Sequence, residues 1–184
     1  VFQRDAQTSR LTWIQSVQQG IGGVSGLADV SKVVVSPDGR QVYALSPTTG
    51  AIALFERNTT SSALTWRTTY DQLDLGVGLG GIDSAVFDAD GQFLYVASEF
   101  ENAIHVLARD TGTTSTRGSL SPASSIRQSD AGVTGLVGVS SLAITADGVN
   151  LYASSQSGDT VAWFVRDSID GRLRFAGLRT NLAA

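Results

Sequence analysis

The side chains of this chain that could do chemistry are few, and the rarest occur once. Among 184 residues, His105 is the single histidine, Lys32 is the single lysine, and there is no cysteine. A histidine can act as a general base or bind a metal, but a metal site built on imidazole needs further ligands, and no second histidine or thiolate exists to share it. His105 therefore has two interpretations, a catalytic group or a half-buried packing residue, and we favour the second.

Acidic side chains are the other candidates for chemistry. The chain has 17 Asp and Glu against 13 Lys and Arg, which gives a net charge of −4. Carboxylates grouped on loops could hold a hard cation such as calcium or supply the general acid or base of a hydrolase. A solvated acidic rim is the alternative that we favour. The acids that lie in segments typical of loops are Asp29, Asp71, Asp74, Glu99, Glu101, Asp130 and Asp159.

Several function classes find no support in the sequence. No basic tract is present, so we expect neither nucleic acid nor a membrane surface as a partner. The chain lacks the run of about 18 apolar residues that a membrane-spanning helix needs, and we expect it to be soluble. Neither a Gly-x-Ser-x-Gly elbow nor a phosphate-binding loop occurs, because the glycine-rich segment 76–81 precedes a strand rather than a helix. Apart from calcium at the acidic loops, we expect no cofactor.

A turn that ends in Asp-Gly recurs three times and organises the chain. Its glycines are Gly39, Gly91 and Gly148, so the period is about 55 residues. A Gly-Leu pair precedes each turn, a tyrosine follows it (Tyr43, Tyr95, Tyr152), and a strand ending in arginine closes each unit's apolar part (Arg57, Arg109, Arg166, with Arg4 as a fourth copy). Repeats of this period that contain only short strands are typical of propeller blades. Because the aspartates, tyrosines and arginines repeat, we interpret them as structural.

Each unit is predicted to be a four-stranded antiparallel meander, with strands called a, b, c and d. Near-continuous apolar character in strands a, b and c indicates that both faces of each blade are covered. With 20 glycines and few glutamates, helices should be nearly absent. The predicted strands are 30–35, 41–45, 51–57 and 63–68, then 82–87, 92–97, 103–109 and 119–126, then 139–144, 150–154, 160–166 and 172–177.

The chain is predicted to be one partial, all-β propeller domain, 1–184, of about three and a half blades. Residues 26–69, 78–126 and 135–180 are whole blades, and residues 1–16 are strands c and d of a half blade. Closed propellers have about four to eight blades, so apolar faces are left open at both ends, with Trp163 and Phe175 expected at the far end. We expect another copy of the chain, or the remaining propeller polypeptide, to close the ring.

The repeated pattern resembles that of a known family. Gly26-Leu27, an apolar strand, Ser36-Pro37-Asp38-Gly39, Val42-Tyr43-Ala44, Ile52 to Arg57 and Leu64-Thr65-Trp66 are similar to the repeat of the seven-bladed lactonase-type propellers, the 6-phosphogluconolactonase-like or YVTN-type family. The resemblance implies a ring of which this chain is about half. It also implies a bacterial protein that is extracellular or periplasmic, because many members are exported. The shared residues are those of turns and packing, so they identify the fold better than the activity.

In a propeller, the start of strand a lines the central channel, and this adds candidates to those already named. The predicted ligand-binding residues are Lys32, Asp83, Ser84, Ser140 and Ser141 in the channel, Glu99 and Glu101 on the rim, and His105 in strand c.

Two functions fit the sequence. A binding or interaction scaffold is favoured because the polar residues repeat, whereas a catalytic residue is normally unique. A lactone hydrolase is favoured by the family resemblance and disfavoured because no basic residues cluster to hold a phosphate. The sequence does not decide whether the chain is an enzyme.

Overall fold

A computed structural model describes residues 1–180, and they form an almost entirely β structure. Three antiparallel four-stranded sheets follow a two-stranded one, and in each sheet the strands neighbour one another in chain order. The predicted all-β propeller architecture of four-stranded blades is confirmed. None of the helical segments within residues 1–180 has the length and apolar character needed to cross a bilayer.

The strands have the following bounds. The half blade contains β1 (Phe2–Arg4) and β2 (Leu11–Trp13). The first whole blade contains β3 (Lys32–Val35), β4 (Gln41–Ser46), β5 (Ala51–Arg57) and β6 (Leu64–Tyr70), and the second contains β7 (Ser84–Phe87), β8 (Phe93–Ser98), β9 (Ala103–Arg109) and β10 (Leu120–Arg127). The third contains β11 (Val139–Ile144), β12 (Asn150–Ser155), β13 (Thr160–Arg166) and β14 (Leu173–Thr180). One short helix, α1 (Gln72–Leu75), lies between the first two blades, and a 3-10 turn spans Ile21–Gly23.

The hydrophobic core lies between blades rather than within any one of them. Tyr43, Leu45 and Leu54 on one face of the first blade pack with Leu94 and Val96 of the second. Equivalent residues of the second blade, with Tyr95 and Val106 among them, pack in the same way against the third. Each blade thus covers one face of the next blade. One repeat alone has no neighbour and cannot bury its apolar faces.

The outer strand of each blade carries a bulge at the same place. The pairing of β5 with β6, of β9 with β10 and of β13 with β14 skips one residue, Arg67, Ala123 and Ala176 respectively. A bulge increases the local twist of a strand, so its repetition gives the three blades the same curvature.

Some strand boundaries differ from the predicted ones. β3 and β7 begin two residues later than expected, because positive φ angles at Asp29 (61°) and Gly81 (68°) turn the chain shortly before pairing starts. β14 continues to Thr180, three residues beyond its predicted end. The expectation that strand a is covered on both faces is wrong for β3, where the side chains of Val33 and Val35 are about half exposed.

Both ends of the stack expose apolar side chains. Phe2, Leu11 and Trp13 of the half blade are largely exposed. At the other end, Trp163 lies on the open face, where the Arg179 guanidinium stacks 5.4 Å from its ring centroid. The expectation that Phe175 also lies on this face is wrong. Phe175 pairs across the sheet with Phe164, so both rings face the second blade, 5.7 Å apart.

Candidate functional site

The arginine that ends strand c braces the turn between strands a and b in every whole blade. Arg57, Arg109 and Arg166 donate to the carbonyls of Gly39, Gly91 and Gly148, at 3.0, 3.0 and 2.6 Å. Arg109 also bonds the carboxylate of Asp38 in the preceding blade at 2.7 Å, and Arg166 bonds that of Asp88 at 3.3 Å. The interpretation of these arginines as structural is confirmed, and Arg109 and Arg166 in addition bridge two blades.

The repeated tyrosines also join neighbouring blades. Tyr43 donates to the Gly118 carbonyl at 2.7 Å, and Tyr95 donates to the Gly171 carbonyl at 2.9 Å, in each case in the next blade. Burial raises the pKa of Tyr95 to about 12, so it stays protonated as a donor. Tyr152, the third copy, has no described blade beyond it and is 40% exposed.

His105 is completely buried in β9, deeper than the half-buried position expected for it. Its Nδ1 shares a hydrogen bond of 2.8 Å with the Ser125 hydroxyl, while its buried Nε2 has no hydrogen-bond partner within residues 1–180. Burial, and then the charge of Arg127, lower the pKa of His105, so the ring is neutral at pH 7. The described residues enclose this side chain, and its role in binding a ligand stays a prediction.

The channel candidates are divided among contacts between blades. Asp83 accepts a hydrogen bond of 2.7 Å from the Ser31 hydroxyl of the preceding blade. Ser84 is buried, and its hydroxyl oxygen accepts from the Leu142 backbone N–H of the next blade at 3.0 Å. Lys32 is exposed and makes no side-chain hydrogen bond with the described residues.

The remaining candidates lie in two other places. Ser140, Thr160 and Arg179 line an open cavity of about 580 Å³ on the open face of the third blade. Ser141 is exposed near the start of β11. Glu99 is half-buried and Glu101 is exposed, both on the loop after β8. The structure therefore does not gather the candidates at one point. In the described part of the chain, no three His, Asp or Glu side chains lie close enough together to hold a metal ion. Calcium binding at the acidic loops stays a prediction.

A groove of about 480 Å³ on one rim is the feature that the sequence did not predict. It lies between the first and second blades, where the loop after β4, helix α1 and the loop after β8 meet. We call it the rim groove. Its principal lining residues are Thr48, Thr49, Asp71, Leu73, Leu79 and Phe100.

Backbone hydrogen bonds hold the loops of the rim groove together. The Gly81 N–H donates to the Pro47 carbonyl at 3.1 Å, and the Phe100 N–H donates to the Gly80 carbonyl at 3.3 Å. A Cβ at Gly80 would lie 2.8 Å from Phe100 Cδ2, so the absent side chain lets the ring lie on the backbone. Two features of the sequence could have indicated this groove. They are the glycine-rich segment 76–81, which forms no phosphate-binding loop, and the aromatic residue Phe100 in a polar loop.

Helix α1 forms the other wall of the groove. The Oδ1 atom of Asp71 accepts hydrogen bonds from the Leu73 and Asp74 N–H groups, at 2.7 and 3.1 Å. In return, the Asp74 carboxylate accepts from the Asp71 N–H at 3.1 Å. This capping box explains why a four-residue helix forms, and it projects Leu73 into water.

Several solved structures resemble this chain in fold. A Lactobacillus plantarum protein has 20% identity and a TM-score of 0.72 over 97% of this chain and 50% of its own. A Bacteroides uniformis protein provisionally named a 6-phosphogluconolactonase has 21% identity and a TM-score of 0.70 over 98% of this chain and 50% of its own. The periplasmic gluconolactonase of Pseudomonas aeruginosa has 21% identity and a TM-score of 0.63 over 80% of this chain and 38% of its own. At these identities the likeness shows the fold alone.

Three further findings relate the chain to known proteins. It spans half or less of the length of these three structures. A search among curated proteins gives no significant match. The family model described as "Lactonase, 7-bladed beta-propeller" matches residues 84–181, just over half of the chain. The chain belongs to this family of seven-bladed β-propeller lactonases.

Proposed function

We propose that the chain is part of a propeller that serves as a binding or interaction scaffold. The observation that carries the proposal is the rim groove between two complete blades, where Leu73 and Phe100 are 91% and 72% exposed. Large apolar side chains that are exposed in one groove among polar residues are typical of interaction surfaces. By contrast, Arg109, Arg166, Tyr43 and Tyr95 are engaged in contacts between blades.

The ring is closed, in this proposal, by further propeller blades. The open faces of the first and third blades expose the same kinds of side chain that are buried between complete blades, so a blade of similar chemistry fits each of them. The remaining propeller polypeptide or another copy of the chain would supply it. Likeness to a periplasmic protein supports a location outside the cytoplasm, in the periplasm or beyond the cell.

Lactone hydrolysis is the second candidate, and membership of the lactonase family favours it. Its residues would be sought in the channel, where Lys32 and Asp83 are exposed. Two observations weigh against it. His105 is enclosed, and Ser84 is buried in a contact between blades.

A lactonase assay separates the two functions. Glucono-δ-lactone and 6-phosphogluconolactone are incubated with the purified chain at several protein concentrations, so that assembled rings are sampled, and acid release is followed. We expect the spontaneous rate. Turnover that is lost in Lys32→Ala and kept in Arg10→Ala, a change on the exposed half blade, would contradict the scaffold proposal.

A further inference from the structure

We propose that the rim groove docks an extended peptide segment of a partner protein, in which an apolar residue and an arginine or a lysine stand two positions apart. This ligand class rests on the proposed scaffold function and makes it specific. Recognition of this ligand depends on apolar contact, charge and the shape of the groove.

The groove is complete within this chain. All its walls come from the first and second blades and the connection between them, so closure of the ring elsewhere does not change its lining. Hydrogen bonds from Gly81 to Pro47 and from Phe100 to Gly80 tie the three loops to one another. Such a surface is preorganised, which lowers the entropy lost on binding.

Two apolar anchors stand on opposite sides of the groove. The Phe100 ring lies against the backbone at Gly80 and Gly81 and leaves most of its area in water. Leu73 projects from the short helix α1 and is 91% exposed. Covering both with one apolar side chain removes area from water at about 25 cal/mol per Å². Aromatic anchors of this kind often dominate the energy of an interface.

The charge of the groove selects a cation. Asp71 lines it. Its Oδ1 atom accepts both capping hydrogen bonds, and its Oδ2 atom accepts none from the residues that the structure describes, so Oδ2 can accept one from a ligand. Asp74, Glu99 and Glu101 lie on the same loops, and none of the principal lining residues is basic. A phosphate or carboxylate ligand would be repelled here. A guanidinium or ammonium group near Asp71 would be attracted, and a guanidinium could also stack on Phe100.

The openness of the groove favours a peptide over a small molecule. Sites for small molecules usually bury about 70–90% of the ligand surface, which walls as exposed as Leu73 and Phe100 do not achieve. An extended peptide places alternate side chains on the same side. One residue can therefore cover the apolar anchors while the residue two positions away reaches Asp71.

The test measures binding of three blocked, fluorescently labelled hexapeptides to the purified chain. In a background of serine, the first carries leucine and arginine two positions apart, the second has glutamate in place of the arginine, and the third has serine in place of the leucine. We expect the leucine–arginine peptide to bind about tenfold more tightly than either of the others at low ionic strength. The advantage over the glutamate peptide should shrink as salt is added, because the groove is exposed.

Variants then locate the site. Phe100→Ala and Asp71→Asn should each weaken binding of the leucine–arginine peptide by about tenfold. Asparagine caps a helix as well as aspartate does, so Asp71→Asn removes the charge and keeps α1. Ile169→Ala and Asp170→Asn are the matched controls, because they alter an exposed apolar residue and an adjacent acid on the opposite rim. Both should leave binding unchanged.

Two results would overturn the inference. One is equal binding of the arginine and glutamate peptides to the unaltered chain, which needs no variant to fold. The other is unchanged binding in both Phe100→Ala and Asp71→Asn. Lactone turnover, by contrast, would contradict the scaffold proposal and leave these binding results standing. If neither turnover nor peptide binding is found, this inference alone fails.

Discussion

Arg109 and Asp38 form an ion pair across two blades, with 2.7 Å between the Arg109 guanidinium nitrogen Nη2 and Asp38 Oδ2. The guanidinium is almost fully buried, donates to the Gly91 carbonyl of its own blade and stacks 5.9 Å from the Phe87 ring centroid. One side chain therefore holds its own turn and the turn of the preceding blade. This coupling explains why the arginine and the turn recur together in the sequence.

The first prediction concerns acid sensitivity at Asp38. Partial burial acts in the opposite direction, but hydrogen bonds from Ser36 and Arg109 lower the pKa of Asp38 to about 2, from 3.8. The folded state therefore binds this proton less readily than the unfolded state, and the stabilisation is present above about pH 4 and lost as the pH falls towards 2. Asp38→Asn should lower the midpoint of urea unfolding at pH 7, and its difference from the parent should vanish by about pH 2.

Asp90 supplies the matched control for this prediction. It occupies the same turn position in the second blade but makes no side-chain hydrogen bond with the described residues. Asp90→Asn should leave the urea midpoint unchanged at either pH. Equal effects of the two substitutions at pH 7 would show that the ion pair with Arg109 is not what stabilises the blades.

The second prediction concerns the hydrogen bonds of the repeated tyrosines. Tyr43→Phe and Tyr95→Phe each leave a buried glycine carbonyl without its donor, so each should lower the free energy of unfolding by about 1 kcal/mol. Tyr152→Phe is the control, because that hydroxyl meets no described blade and the residue is 40% exposed. Urea unfolding of the three variants checks the prediction. A loss in Tyr152→Phe as large as in the other two would contradict it.

The third prediction concerns the buried histidine. Because burial lowers the pKa of His105 below 6.5, the unfolded chain takes up this proton first, and the parent should lose stability as the pH falls below about 6.5. His105→Gln keeps a polar group near Ser125 and cannot titrate. Urea midpoints between pH 7.5 and 5.5 should therefore fall more steeply in the parent than in the variant. Parallel profiles would mean that His105 is accessible to protons in the fold.

Much of this architecture follows from the sequence because each turn, tyrosine and arginine recurs at an equivalent place. The recurrence predicted the blades and the structural role of Arg109 and Arg166. The position of Phe175 was missed because the bulge at Ala176 reverses the alternation of side chains beyond it. Burial of His105 was underestimated because it depends on packing by neighbouring segments. The rim groove escaped prediction because residues far apart in sequence, such as Thr48 and Phe100, form it only after two blades have packed.

The central claim is that the described blades are part of a ring that further blades complete. Phe2, Leu11 and Trp13 are largely exposed at one end, and Val161 and Tyr152 are partly exposed at the other, whereas the equivalent tyrosines between blades, Tyr43 and Tyr95, are completely buried. Burying these faces against another blade should drive association of the chain when the rest of the ring is not supplied.

Light scattering coupled to size-exclusion chromatography tests this claim most directly. We expect a mass above that of one 19.2 kDa chain, rising with protein concentration. We also expect aggregation or loss of the assembly when residues 1–16 are deleted. A monodisperse monomer at every concentration, with the deletion tolerated, would contradict the account and show that three blades stand alone.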